Sequence, residues 1–227
     1  MKEKIKKLKG CEFFVNDYGS WRSEKTKPDN ITEENINSIG KIIIKTNDSV
    51  KELSNISLFN NIHTLRIERC RKVEDFSFIS NLKKLKDLFV QDTPLQNGMD
   101  FLSNLNLEKV TLYDESGILI DSLPKTLTDL KLNGSFEYSY LSSLENLNEL
   151  FIDNSSGNKL LDEVKDLPDE YELPLLPKSI TYLGIRGSCK LKSNRCLDNL
   201  NNDCKIYIPD KGCENLIIPE RFTNVSR

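Results

Sequence analysis

An apolar residue followed three and five positions later by two more recurs in phase along the chain. Ile39-x-x-Ile42-x-Ile44 returns as Ile62-x-x-Leu65-x-Ile67, Leu85-x-x-Leu88-x-Val90, Leu107-x-x-Val110-x-Leu112, Leu127-x-x-Leu130-x-Leu132, Leu147-x-x-Leu150-x-Ile152 and Ile180-x-x-Leu183-x-Ile185, and a degenerate copy ends the series at Ile206 and Ile208. The middle position falls at 42, 65, 88, 110, 130, 150, 183 and 206, giving intervals of 23, 23, 22, 20, 20, 33 and 23 residues. Alternation inside each hexad predicts a short strand with its apolar side chains on one face. Three positions further on stand Asn47, Cys70, Thr93, Ser135, Ser155 and Ser188, small groups that bond backbone in a turn. Glu115 departs from that series and predicts a locally altered turn. No single repeat buries its apolar side alone, so neighbours must stack into one elongated domain.

Between the strands two subtypes appear. Phe76, Phe78, Ile79, Leu82 and Leu85, like Phe101, Leu102 and Leu105 or Leu141, Leu144 and Leu147, recur at three- and four-residue spacing and predict short helical or 3₁₀ turns. Leu123-Pro124-Lys125-Thr126-Leu127 and the run from Leu173 to Ile180 carry prolines that favour extended backbone instead.

The hexads with their trailing N/C position resemble, over roughly residues 37 to 210, the L-x-x-L-x-L-x-x-N/C signature of leucine-rich repeats, and all but one interval lies within that family's ~20 to 29 residues. The helical spacers resemble a 22-residue bacterial class. The proline-bearing ones are similar to the L-P-x-x-L repeats of secreted bacterial effectors and of amoebal and giant-virus repeat proteins. The resemblance implies an α/β repeat solenoid, a horseshoe or arc with a parallel β-sheet on the concave face and short 3₁₀, helical or extended segments on the convex face.

Residues 1–36 are expected to cover the first repeat: Ile5 and Leu8 on a short basic helix, Cys11 to Val15 as an edge strand, and Trp21 over the end of the core. Repeats then occupy 37–188, with an acidic insertion at 157–177 that accounts for the 33-residue interval and is a second candidate for reading a partner. Residues 189–227 hold the degenerate repeat and a C-terminal cap with Cys189, Cys196, Cys204 and Cys213. Extracellular members of the family often close this end with disulfides. The absence of C-x-x-C pairs and of an apolar leader favours reduced thiols.

Composition narrows the function. Lys+Arg 32 against Asp+Glu 35 gives a net charge of −3, too small to draw the chain to nucleic acid or an anionic membrane. No apolar run reaches the ~18 residues of a membrane span, and the lysine-rich start lacks the core of a secretory signal, which places the chain in a cytosol. One histidine, His63, no phosphate-binding glycine loop and no EF-hand spacing leave no catalytic residue, cofactor or metal to nominate.

The residues between the apolar positions face the concave side. One column reads Ile43, Arg66, Phe89, Thr111, Lys131, Phe151, Gly184, Tyr207. The next reads Lys45, Glu68, Gln91, Tyr113, Asn133, Asp153, Arg186, Pro209, and the one before reads Lys41, Thr64, Asp87, Lys109, Asp129, Glu149, Tyr182, Lys205. Rings and arginines are the residue types that anchor protein interfaces. The candidate partner-binding set is Arg66, Phe89, Tyr113, Asp129, Lys131, Phe151, Asp153, Tyr182, Arg186 and Tyr207. Basic residues gather at Lys41, Lys45, Arg66 and Arg69, acidic ones at Asp87, Asp92, Asp114, Asp129, Glu149 and Asp153. These imply a non-enzymatic module, monomeric when free, that captures a protein with a basic protrusion, as an immunity protein, an effector or a recognition subunit. Carbohydrate stacking on the rings is the alternative. Eight strands at ~4.8 Å carrying three outward residues at ~3.3 Å make a strip of roughly 340 Å², well below the about 800 Å² per partner of a stable complex, so turn residues or the insertion must add contact.

Overall fold

A computed structural model describes residues 1–8, 10–15, 24–45, 52–93, 102–113, 123–134, 138–153, 170–186, 190–191, 193–208 and 216–226. Trp21, Asn47, Asp114, Glu115, Ser135, Ser155, Ser188, Cys189, Pro209, Cys213 and the insertion as far as 169 lie outside them. After a short helix α1 (Lys2–Lys6) come β1 (Cys11–Val15), β2 (Glu24–Thr26), β3 (Ile39–Lys45), β4 (Thr64–Glu68), β5 (Asp87–Gln91), β6 (Lys109–Tyr113), β7 (Asp129–Asn133), β8 (Glu149–Asp153), β9 (Glu170–Tyr171), β10 (Tyr182–Arg186), β11 (Lys190–Leu191), β12 (Lys205–Tyr207) and β13 (Val225–Ser226). Eleven of these form one sheet in the order β13-β12-β10-β8-β7-β6-β5-β4-β3-β1-β2. From β3 to β13 every pairing is parallel, whereas β1 and β2 run antiparallel at one end. β9 and β11 pair separately, joining the end of the acidic insertion to the chain beyond β10.

All seven hexads are therefore strands, stacked in sequence order. Leu65, Ile67, Leu88, Leu130, Leu150 and Leu183 are fully buried, in one continuous apolar cluster that runs from Ile5 to Phe222. Each such leucine stabilises by about 1.5–3 kcal/mol on burial. Behind the sheet, Ser54–Leu58, Ser77–Asn81 and Ser139–Ser143 are 3₁₀ turns. The proline spacers are extended apart from a single turn, in which Leu127 N–H donates to Pro124 O at 3.1 Å and Ile180 N–H to Pro177 O at 3.2 Å.

Backbone polar groups at the strand ends find partners in the next repeat, as burial requires. At the strand entry, the carbonyls of His63, Lys86, Glu108, Thr128 and Asn148 each accept two N–H groups from the repeat that follows. At the exit, Arg69, Asp92 and Gly134 hold positive φ of 56°, 46° and 126° and donate to Gln91 O, Tyr113 O and Asp153 O. Thr93 then serves the turn: its Oγ1 accepts from Cys70 N–H at 3.1 Å and donates to Gln91 O at 2.8 Å. Immediately before the first apolar residue of a repeat, Thr126, Asn146 and Ser179 donate to backbone of the repeat before, at Leu107, Lys125 and Leu147.

The two ends differ. In residues 1–36, Ile5, Leu8 and Phe13 are buried, and Phe13 stacks on Phe59 with centroids 5.2 Å apart. β1 is not the edge strand that its sequence suggests, because β2 pairs outside it. At the other end the sheet continues one strand further than the hexads foretell: Ile206 pairs with Val225 and Tyr207 with Ser226. Ile218-Pro219-Glu220-Arg221-Phe222-Thr223-Asn224-Val225 is a degenerate copy of the proline-type repeat, with the same turn (Phe222 N–H to Pro219 O, 3.1 Å). Arg221 sits where Thr126 and Ser179 stand in their repeats. Its guanidinium donates to Leu200 O at 2.7 Å, Leu197 O at 2.6 Å and Asn202 Oδ1 at 3.0 Å.

Cys11, Cys70, Cys196 and Cys204 are buried thiols. Burial pushes the Cys196 and Cys204 thiols up to about 11, and burial together with nearby Cys70 pushes Cys11 to about 12. All three are neutral at pH 7, and only the thiolate reacts. Brief iodoacetamide treatment of the folded protein should leave peptides bearing Cys11, Cys196 and Cys204 unmodified by mass spectrometry, with modification appearing in urea. A hydrogen bond to a charged group contributes about 1.5–3 kcal/mol, so Arg221→Ala should speed amide exchange of Ile206 and Ile208, which donate to Asn224 O and Ser226 O, by about ten- to a hundredfold. Exchange at Leu150 should not change.

Candidate functional site

The parallel register brings the concave residues into three straight rows. Arg66, Phe89, Thr111, Lys131, Phe151, Gly184 and Tyr207 are successive pairing partners along the middle row, from β4 to β12. Tyr113, Asp153 and Arg186 lie on the row beside it, and Asp129 and Tyr182 on the other side. All ten candidate residues thus share one face.

Toward β4 the face is self-packed. The Arg66 guanidinium lies over the Phe89 ring, 3.9 Å from its centroid, and Phe89 is tilted against Tyr113 at 5.6 Å. Arg66 also pairs with Glu68. A cation, two rings and a carboxylate are thereby joined across three strands, and the rings are half-buried where simple alternation would leave them wet. Ile43, at the head of the row between Glu12 and Arg66, is buried.

Toward β12 the packing changes hand. Phe151 does not reach back to Lys131 on the preceding strand. Its ring lies over Gly184 on the next one, so close that a Cβ at Gly184 would overlap the ring carbons and stand 2.8 Å from Cε2. Gly184 is the one middle-row position where such an approach is open, and the ring buries it in turn. Tyr182 and Tyr207 are half-buried beside it. Burial raises the Tyr182 hydroxyl above the ordinary phenol range, and Tyr207 and the Glu149 carboxylate add to the shift.

The charges interleave rather than segregate. Lys109 reaches Asp129 at 3.7 Å, Arg69 reaches Asp92 at 3.5 Å and Arg186 reaches Asp153 at 4.0 Å. Reading acids and bases as two clusters overlooks Lys109 and Lys131, which the register sets between the carboxylates. Asp153 is buried, against its expected place on the wet face. The Asp87 carboxyl is raised first by burial and then by Asp129, while Lys109, Lys41 and Lys131 pull it back. Glu149 is exposed and makes no ion pair among the described residues.

Among the described residues, no three His, Cys, Asp or Glu side chains group as metal ligands and no helix is long and apolar enough to cross a membrane. His63 is half-buried beside Thr64, with Nδ1 and Oγ1 3.3 Å apart.

Parallel strands on the inner curve, backed by 3₁₀ and extended spacers, make this fold a leucine-rich repeat solenoid. The crystal structure of an internalin C2 from Listeria monocytogenes str. 4b F2365 is similar to it, with a TM-score of 0.62 over 88% of this chain and 85% of that one, at 18% sequence identity. At that identity the likeness is one of fold. No protein-family model and no curated protein matches the chain.

A guanidinium over a half-exposed ring contributes about 0.5–1 kcal/mol. In a double-mutant cycle of Arg66→Ala and Phe89→Ala, the coupling energy from urea midpoints should fall in that range, and a value at zero would mean that the stack adds nothing.

Proposed function

We propose that this chain is a non-enzymatic binding module, a monomer of the cytosol, that captures a protein partner on its concave face. The observation that carries this reading is the row from Arg66 to Tyr207, in which arginine and aromatic side chains are held in register on a rigid sheet. Such residues anchor interfaces because rings bury large area with few rotatable bonds and the guanidinium presents a planar fork of donors, and a solenoid presents them without needing to order on binding. Saccharide stacking is the weaker alternative, since Arg66 already covers a face of Phe89.

The partner in this reading carries a basic protrusion that meets Asp87 and Glu149 at the centre of the face. With Asp92, Asp129 and Asp153 already paired inside the protein, the attraction is local rather than a broad acidic field. Residues of β13 and the acidic insertion extend the contact beyond the narrow strip between the strand ends. An immunity protein, an effector and a recognition subunit would all use the face in this way.

Site-specific photo-crosslinking tests the reading. A crosslinker at Thr111 should trap a defined protein that one at Lys125, on a spacer behind the sheet, does not. Phe151→Ala with Tyr113→Ala should leave the circular dichroism spectrum unchanged and weaken that association at least tenfold. Asp87→Asn with Glu149→Gln should lower affinity at low salt and flatten its salt dependence. An unaltered salt dependence removes the basic protrusion from the reading, and full binding by the aromatic double variant removes the site.

A further inference from the structure

Phe89 and Phe151 occupy the same row, each one strand after a basic residue, Arg66 and Lys131 respectively. Their rings nonetheless have opposite fates. Phe89 is covered by its own arginine. Phe151 leans away from Lys131 onto Gly184, and among the described residues no cation stacks on it. The Cδ2–Cε2 edge of the half-buried ring rests against the glycine, with Tyr207 beyond Gly184 along the row and Glu149 two residues before the ring on the same strand. Like the Arg66 and Phe89 pair, the ring has a carboxylate nearby, although Glu68 stands on the arginine's strand and Glu149 on the ring's own strand in the opposite flanking row.

We propose that Phe151 on its Gly184 shelf, with Tyr207 and Glu149 beside it, receives an arginine side chain of the protein partner. The proposal rests on the concave face being the capture surface and assigns one residue of the basic protrusion to one place. A planar guanidinium suits the site better than an ammonium, because it can lie on the ring while its N–H fork meets a carboxylate. The described cations nearby do not fill that role. Arg186 is drawn to Asp153 at 4.0 Å, Lys131 lies on the side from which the ring has turned, and Lys205, across Tyr182 from Glu149, carries a compact ammonium. Stacking of this kind changes affinity by about three- to thirtyfold.

The probe is the capped tripeptide acetyl-Gly-Arg-Gly-amide, compared with its lysine and citrulline counterparts, titrated to 50 mM (about the range a single contact requires) against protein carrying labelled phenylalanine and tyrosine. The arginine peptide should shift the Phe151 and Tyr207 ring resonances saturably and leave Phe89 in place. The lysine peptide should bind several-fold more weakly and the neutral citrulline peptide not measurably. Gly184→Ala, which displaces the ring without altering charge, and Phe151→Leu should each abolish the response, and Glu149→Gln should weaken it about threefold or more. An equal response to citrulline, no response at 50 mM, or a response that survives both Gly184→Ala and Phe151→Leu overturns the proposal. Crosslinking of a protein from Thr111 in spite of any of these results would leave the capture function standing without this contact, whereas peptide binding with no concave-face crosslink would do the reverse.

Discussion

Each repeat has an aliphatic face that it cannot cover by itself, and that one constraint organises the molecule. Leu65 and Ile67 are dry only because the strands before and after them stand in register, and the same holds at every step to Leu183 and Ile185. A slip of one residue between neighbours would turn every core side chain outward, so the core sets the register. The register in turn sets the inner face, because residues between the core positions have nowhere else to point. Alignment of Arg66 with Phe89, or of Phe151 with Gly184, is a consequence of burial elsewhere in the same strands. Stability in such a stack is close to a sum of neighbour terms, which explains why the ends carry their own devices: an antiparallel hairpin with Phe13 on Phe59 at one, an arginine tying three oxygens at the other.

Turning the chain after every strand poses a second problem, since the corners are buried and their backbone groups need partners. The solution is repeated rather than improvised. Among the described residues, five strand-entry carbonyls each take two donors, three exit residues adopt positive φ, and Thr126, Asn146 and Ser179, each just before a core aliphatic residue, reach back a repeat. Gly134 takes its exit conformation without penalty. Arg69 and Asp92 do so at a cost of about 1 kcal/mol each, and the ion pair between them returns some of it.

Much of the fold was legible in the sequence because both of its periods, two within a strand and about twenty-two between strands, are written in residue types. The ninth parallel strand was not, since Val225 is its only aliphatic residue and comes just 19 positions after Ile206, with Phe222 where a leucine would signal the repeat. The outer strand β2 was hidden for a similar reason: Glu24-Lys25-Thr26 has no apolar alternation, and only its pairing to β1 defines it. On the concave face the rows could be read from the hexads, but not the partners within them. Grouping charges by sign separated Asp129 from Lys109, which the register places side by side on adjacent strands.

Ring orientation was the least legible feature, because it depends on a residue distant in sequence. Phe89 is followed along its row by Thr111, which has a branched side chain where Phe151 meets a glycine, and the ring lies under Arg66 and tilts against Tyr113. Phe151 is followed by Gly184, 33 positions later, and takes the space that only a missing Cβ leaves. One aromatic position in a common row is thus covered by a cation of the fold, and the other carries none among the described residues. The difference lies in the neighbour on the next strand rather than in the ring, so the binding character of a repeat surface has to be judged one row and one pair of strands at a time.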